Sequence, residues 1–291
     1  MRLVKSIDQV RKAVRAQKEQ GKKIGLVPTM GYLHEGHLSL VRLARRKCNF
    51  LVVSIFVNPA QFGPKEDLRE YPRDLKRDLQ LLKKEGVDLV FCPSVAAMYP
   101  GGYQTYVEVV GWNKILCGAS RPVHFRGVAT VVLKLFNIIE PDIAVFGRKD
   151  FQQAVIIERM VKDLDLDVKI LTGRIVRERD GLAMSSRNTY LSAEQRKNAA
   201  ILYQSLKWLK QAYVNGLRDP KTAESRMAAM ITARDGRIDY IAFVDKNSLE
   251  PVKELRRGTL AAFAVFFGKT RLIDNTVLGS NLDIGHLFIP M

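Results

Sequence analysis

The chain has 291 residues, of which 47% are hydrophobic and 26% charged, with a formal net charge of +17. That length and apolar content suit an ordinary globular protein with one large core or two modest ones. Residues 1–23 are polar with spaced apolar positions, unlike a secretory signal, and no segment is long and apolar enough to span a bilayer. A cytoplasmic location is therefore expected.

Ile7, Val10 and Val14 recur at helical spacing and predict a short amphipathic helix before the first core strand, Ile24–Val27. The stretch Pro28-Thr29-Met30-Gly31-Tyr32-Leu33-His34-Glu35-Gly36-His37 then turns into a helical pattern that ends near Arg45-Arg46-Lys47. The β-branched run Phe50–Val57 reads as a parallel strand buried on both faces, stopping at Asn58-Pro59. Leu75, Leu79 and Leu82 give another helix, and Val87–Phe91 another strand. Three strand–helix repeats in succession predict a doubly wound parallel sheet.

Met98–Arg126 reads as irregular, with a short strand around Tyr106–Val110. Order resumes in a helix over Val128–Ile139, a strand over Ile143–Phe146, a turn Gly147-Arg148-Lys149-Asp150, and a helix from Phe151 to about Lys162. Val168–Leu171 is expected to be the last strand of the sheet. Beyond it the pattern changes to a loop, Arg179–Asn188, a long helix over 193–215, a helix over 220–234 and strands at Ile238–Val244 and Leu260–Phe267. The chain is thus read as an α/β Rossmann-like domain over 1–175 and a smaller α+β domain over 176–291.

Chemistry-bearing residues cluster at the strand ends. His34 and His37 stand three apart at a helix start, whose unpaired N–H groups and dipole suit a phosphate, and Gly31 and Gly36 allow close approach. On their own they read equally as metal ligands or surface histidines. Asn58, Gln61 and Gln153 are neutral amides able to hold the hydroxyl and carboxylate groups of a small acid, and equally able to cap loops. Lys149 can neutralise charge as a pyrophosphate leaves, and Ser185-Ser186-Arg187 offers hydroxyl and guanidinium donors to phosphates. No GxGxxG or P-loop motif is present. Cys48, Cys92 and Cys117 are too few and too scattered for a disulfide framework or metal site. The basic residues are interspersed with acidic ones, so nucleic acid is not an expected partner.

The PTMG segment followed by His34-x-Gly36-His37 resembles the nucleotide-binding signature of the pantothenate synthetase family, within the HIGH-motif nucleotidyltransferase superfamily. Four further blocks keep that family's order: SIFVNPAQFGPKEDLREYPRDLKRDL, RPVHFRGVATVVLKLFNIIEPDIAVFGRKDFQQ, VRERDGLAMSSRNTYL and RLIDN. The resemblance implies ATP-dependent condensation of pantoate with β-alanine through a pantoyl adenylate, releasing pyrophosphate and AMP.

Carried onto this sequence, the resemblance implies an ATP site formed by Met30, Gly31, Tyr32, Leu33, His34, Glu35, Gly36 and His37, then Gly147, Arg148, Lys149 and Asp150, and finally Val176, Met184, Ser185, Ser186 and Arg187. His34, His37, Lys149 and Arg187 would be catalytic; Gln61, Gln153 and Asn58 would bind the acid substrates. Mg²⁺ would ride on ATP oxygens with protein ligands unspecified, the C-terminal domain would act as a lid, and a homodimer is expected. Arg148 stands where many members have Glu, and Phe151 where many have Tyr. The alternatives are another HIGH-motif nucleotidyltransferase and a non-catalytic basic RNA-binding protein.

Overall fold

The computed structural model describes residues 1–64 and 66–279, and the backbone of 287–288. Lys65, inside the quoted FGPKED block, and the segments 280–286 and 289–291 lie outside the described residues. The chain divides into two compact units: Met1–Arg148 with Gln152–Gly173, and Arg174–Met291 with Lys149–Phe151.

The first unit begins with β1 (Arg2–Val4) and α1 (Ile7–Lys18). Ser6 caps α1 by accepting the Gln9 N–H, while the Gln9 side chain returns to the Ser6 N–H. There follow β2 (Ile24–Thr29), α2 (Glu35–Arg45), β3 (Phe50–Ile55), α3 (Leu75–Lys84) and β4 (Leu89–Phe91). Two single-turn helices, α4 (Val95–Met98) and α5 (Cys117–Ser120), interrupt the irregular stretch before α6 (His124–Ile139). Then come β5 (Ile143–Gly147), α7 (Phe151–Asp163) and β6 (Lys169–Gly173).

All six strands pair in parallel, in the order β1-β4-β3-β2-β5-β6. Alternate strand residues feed two cores. Leu26, Val52 and Ala144 pack with residues of α1, α6 and α7 such as Val10, Leu135 and Met160; Val27, Val53 and Val145 pack with Val41 of α2 and Leu82 of α3. Burial on both faces is why β3 reads as an unbroken apolar run rather than an alternating one.

In the second unit, β7 (Val176–Arg177) precedes α8 (Ala193–Ala199), α9 (Ile201–Val214) and α10 (Pro220–Thr232). These pack on an antiparallel sheet of β8 (Arg237–Asp245), β9 (Thr259–Phe267) and β10 (Thr270–Val277), with Leu202, Leu206, Phe263 and Val265 in the core. The doubly wound sheet and the smaller α+β unit match the expected fold class.

Four details differ from the sequence reading. The expected strand at Tyr106–Val110 does not form, because the Val107 N–H is taken by Thr130 Oγ1 on α6 at 2.9 Å instead of a ladder partner. The long helix over 193–215 divides at Ala200 into α8 and α9. The edge strand β1 is too short to leave a periodic signal, and β10 pairs with β9 where no third strand was read. Cys48, Cys92 and Cys117 are free thiols, and among the described residues no helix is long and apolar enough to cross a membrane.

Candidate active site

Strand order reverses beside β2: the chain builds outward through β3 and β4, then crosses to place β5 on β2's other edge. Open α/β sheets bind ligands at the carboxyl ends of strands at such a switch point. The loop leaving β2 is therefore the natural place for a site.

That loop turns through left-handed backbone at Gly31 (φ 80°) and Tyr32 (φ 49°). A glycine is needed at 31, since a Cβ there would lie 3.0 Å from Ile55 Cγ2 and 3.1 Å from Asp78 Oδ2. The strain at Tyr32 is offset through Asp78, a buried carboxylate on α3. Its two oxygens accept the Tyr32 N–H at 2.8 Å and the Leu33 N–H at 2.7 Å. Burial pushes the Asp78 carboxyl up, opposed by those two N–H donors. Asp78 escaped the sequence reading, although it occupies the apolar stripe of α3 three residues after Leu75 and four before Leu82.

His34 caps α2. Its Nδ1 accepts the Gly36 N–H at 3.1 Å, and His37 Nδ1 accepts the His34 N–H at 3.3 Å, so the two imidazoles form a reciprocal cap with ring centroids 4.1 Å apart. Accepting at Nδ1 assigns the ring proton of each neutral histidine to Nε2. Both rings thus have a donor on the edge opposite their anchored nitrogen, at a helix start that itself favours anions. Other members of the same stretch do different work. Leu33 is buried in the core with its N–H held by Asp78, and Glu35 is ion-paired with Arg42 of its own helix.

After β3, Asn58 caps a 3-10 turn (Pro59–Gln61) lying against α6. At Gly127 a Cβ would come within 2.2 Å of the Ala60 carbonyl oxygen, so only glycine permits this approach. His124 Nδ1 lies 3.0 Å from the Gln61 carbonyl, which can only accept, so that nitrogen carries the proton. The Gln61 amide nitrogen reaches Met30 Sδ at 3.1 Å, joining the β2 and β3 loops. Asn58 is wholly buried and bonds within the protein rather than presenting an open amide. Gln153 is partly exposed on α7, whereas its neighbour Gln152 bonds internally with the Cys117 N–H and with the Trp112 and Ile115 carbonyls. Gly147 ends β5, and Arg148 donates to Thr172 Oγ1 at 3.1 Å.

The second unit holds the other expected residues. Burial pushes the Lys149 ammonium pKa down; Asp150 opposes this, the Arg187 cation adds to it, and Asp274 opposes it again. Asn275 Nδ2 donates to the Lys149 carbonyl at 2.8 Å. Asp274 pairs with Arg177 through both oxygens, at 2.5 and 2.9 Å, and both side chains are almost fully buried. Arg177 also donates to the Gly181 carbonyl and stacks on Tyr203, its guanidinium carbon 4.6 Å from the ring centroid. Buried Val176 accepts the Met184 N–H, and Ser185 Oγ accepts the Arg187 N–H at the start of the 3-10 turn Ser186–Tyr190. The RLIDN block, without a role in sequence, thus bonds the Lys149 carbonyl through Asn275 and, through Asp274, Arg177, which reaches the Gly181 carbonyl. Asp150 is exposed.

A doubly wound parallel sheet with a paired-histidine helix start at its switch point defines a nucleotide-binding α/β protein. The sequence model described as pantoate-beta-alanine ligase matches residues 2–277, and the chain belongs to the pantoate-beta-alanine ligase family. It is 54% identical over 279 residues to the pantothenate synthetase of Acetivibrio thermocellus, covering 96% of this chain and 99% of that one. The crystal structure of pantothenate synthetase from Thermus thermophilus superposes with a TM-score of 0.90 at 45% identity, over 95% of this chain and 99% of that one. A Francisella tularensis pantoate-beta-alanine ligase, solved with beta-gamma ATP and beta-alanine, superposes with a TM-score of 0.82 at 34% identity, over 97% and 99% of the two chains.

Proposed function

We propose that the chain condenses pantoate with β-alanine in two steps that together consume one ATP. In the first, a pantoate carboxylate oxygen attacks the α-phosphorus of ATP, forming the acyl–phosphate bond as the bond to pyrophosphate breaks. In the second, the β-alanine amine attacks the acyl carbon, AMP leaves with the bonding electrons, and the nitrogen gives up a proton. Adenylation turns a poor electrophile into a good one.

His34 and His37 donate from Nε2 to ATP phosphate oxygens, held in place by their Nδ1 caps. Electrostatic stabilisation outweighs proton donation here, since pyrophosphate departs as an anion. Lys149 and Arg187 supply positive charge to the same nucleotide, Gln61 and Gln153 hold the acid, and the C-terminal unit serves as a lid that keeps water from the anhydride. Among the described residues no group of three or more His, Cys, Asp or Glu is placed to hold a metal. Mg²⁺ would be brought by ATP, and no protein ligand is assigned to it. When bound it neutralises charge on the leaving pyrophosphate. We place the reaction in the cytoplasm, the default for such a sequence, and in a homodimer, as the family resemblance implies.

The observation that carries this reading is the paired-histidine cap at the switch point, in a chain matched to the family over residues 2–277. Incubation with ATP, Mg²⁺, pantoate and β-alanine is expected to yield pantothenate and AMP in equal amounts. Nucleotide hydrolysis indifferent to both acids would overturn the reading.

A further inference from the structure

Asn58 has two amide hydrogens and two acceptor lone pairs, and each is accounted for inside the fold. Two of its bonds meet backbone groups of fixed polarity: Oδ1 accepts the Ala60 N–H at 3.2 Å, and Nδ2 donates to the Gly127 carbonyl at 3.0 Å. Turning the amide over would set donor against donor and acceptor against acceptor, so Asn58 has one orientation. Its second Nδ2 hydrogen goes to Gln61 Oε1 at 3.2 Å, and its second Oδ1 lone pair takes the Tyr99 hydroxyl at 2.8 Å. Gln61 then has its carbonyl turned toward Asn58 and its NH₂ turned the other way, toward Met30.

We propose that Tyr99 and Asn58 are positioning residues that set which end of the Gln61 amide meets the acid substrate, and that Asn58 acts through Gln61 rather than on the substrate. The inference rests on the reading of Gln61 as an acid-binding residue. It gives that residue a polarity: an NH₂ donor selects an oxygen acceptor, the group that pantoate and β-alanine share, and disfavours an ammonium. Tyr99 is suited to the role. It is partly buried, which pushes its phenol pKa up and keeps the hydroxyl a donor, and its ring is held by Phe56 at 6.3 Å and edge-on by Tyr103 at 5.0 Å. Without the phenol, Oδ1 keeps only the longer bond from Ala60, and the Asn58 amide has a looser seat from which to aim Gln61.

The test is a kinetic double-mutant cycle on the full chain with Tyr99→Phe, Gln61→Ala and the double variant. Tyr99→Phe keeps the ring and is expected to raise the pantoate KM about 3- to 10-fold, the effect of one hydrogen bond, with kcat, the ATP KM and Tm nearly unchanged. In the Gln61→Ala background the same change is expected to do nothing further. Independent, multiplicative effects would overturn the proposal, as would an unchanged pantoate KM in Tyr99→Phe or a loss spread over kcat, both KM values and Tm. The underlying reading fails separately: a Gln61→Ala enzyme with an unaltered pantoate KM removes Gln61 from the acid site and the proposal with it. A Gln61→Ala enzyme that loses pantoate while Tyr99→Phe is silent leaves the site intact and removes only the positioning role.

Discussion

Burial is the largest influence holding the Lys149 ammonium below its ordinary pKa of 10.5, and the Arg187 cation adds to it. The sign follows from linkage: the folded state disfavours the charged lysine, so stability from this group rises as pH rises toward the unfolded value. A bound phosphate reverses the balance by giving the ammonium an anion to face. The affinity for ATP is therefore expected to weaken with rising pH through an apparent pKa below 10.5, seen as an alkaline limb in ATP KM against pH. That limb should be missing in Lys149→Ala. The same variant should slow adenylate formation by at least about 100-fold, the effect of removing one preorganised charge. A near-normal single-turnover rate would take Lys149 out of the chemistry. The histidines, the amides and Lys149 stood out in the sequence as candidates because they are polar groups at strand ends, but their roles came from the family resemblance. What was hidden is their orientation. Asn58 reads as a substrate ligand until Tyr99, 41 residues away, and Gly127, 69 residues away, are seen to occupy it.

The elements themselves were legible where burial leaves a periodic trace. The β3 run and the helix over Val128–Ile139 are apolar because both are enclosed, and both formed. The stretch around Tyr106–Val110 has the composition of a strand but no neighbour to pair with, and pairing is decided by tertiary context. Asp78 shows the opposite case: a carboxylate at an apolar-stripe position is the trace of a buried anchor, masked when only apolar residues are counted. Its two bonds hold the turn that precedes His34. Asp78→Ala strands two N–H groups of that turn, and at roughly 1–3 kcal/mol for each unsatisfied donor it should lower stability by about 2–6 kcal/mol. A fall in Tm with a raised ATP KM is the expected result. Unchanged values for both would mean that the turn holds itself.

In the molecule as a whole, the doubly wound parallel sheet and the α+β character of the second unit follow from repeat patterns, which sequence displays directly, whereas the strand order does not. The grouping of Lys149–Phe151 with the second unit does not, because the Asn275 side chain that bonds the Lys149 carbonyl lies 126 residues downstream. The central claim concerns the order of events: ATP reacts with pantoate before β-alanine takes part. It is tested most directly by following labelled pyrophosphate into ATP in the presence of Mg²⁺ and pantoate, with β-alanine left out. A two-step reaction through pantoyl adenylate predicts exchange that depends wholly on pantoate. Exchange that proceeds without pantoate, or that begins only when β-alanine is added, would contradict it.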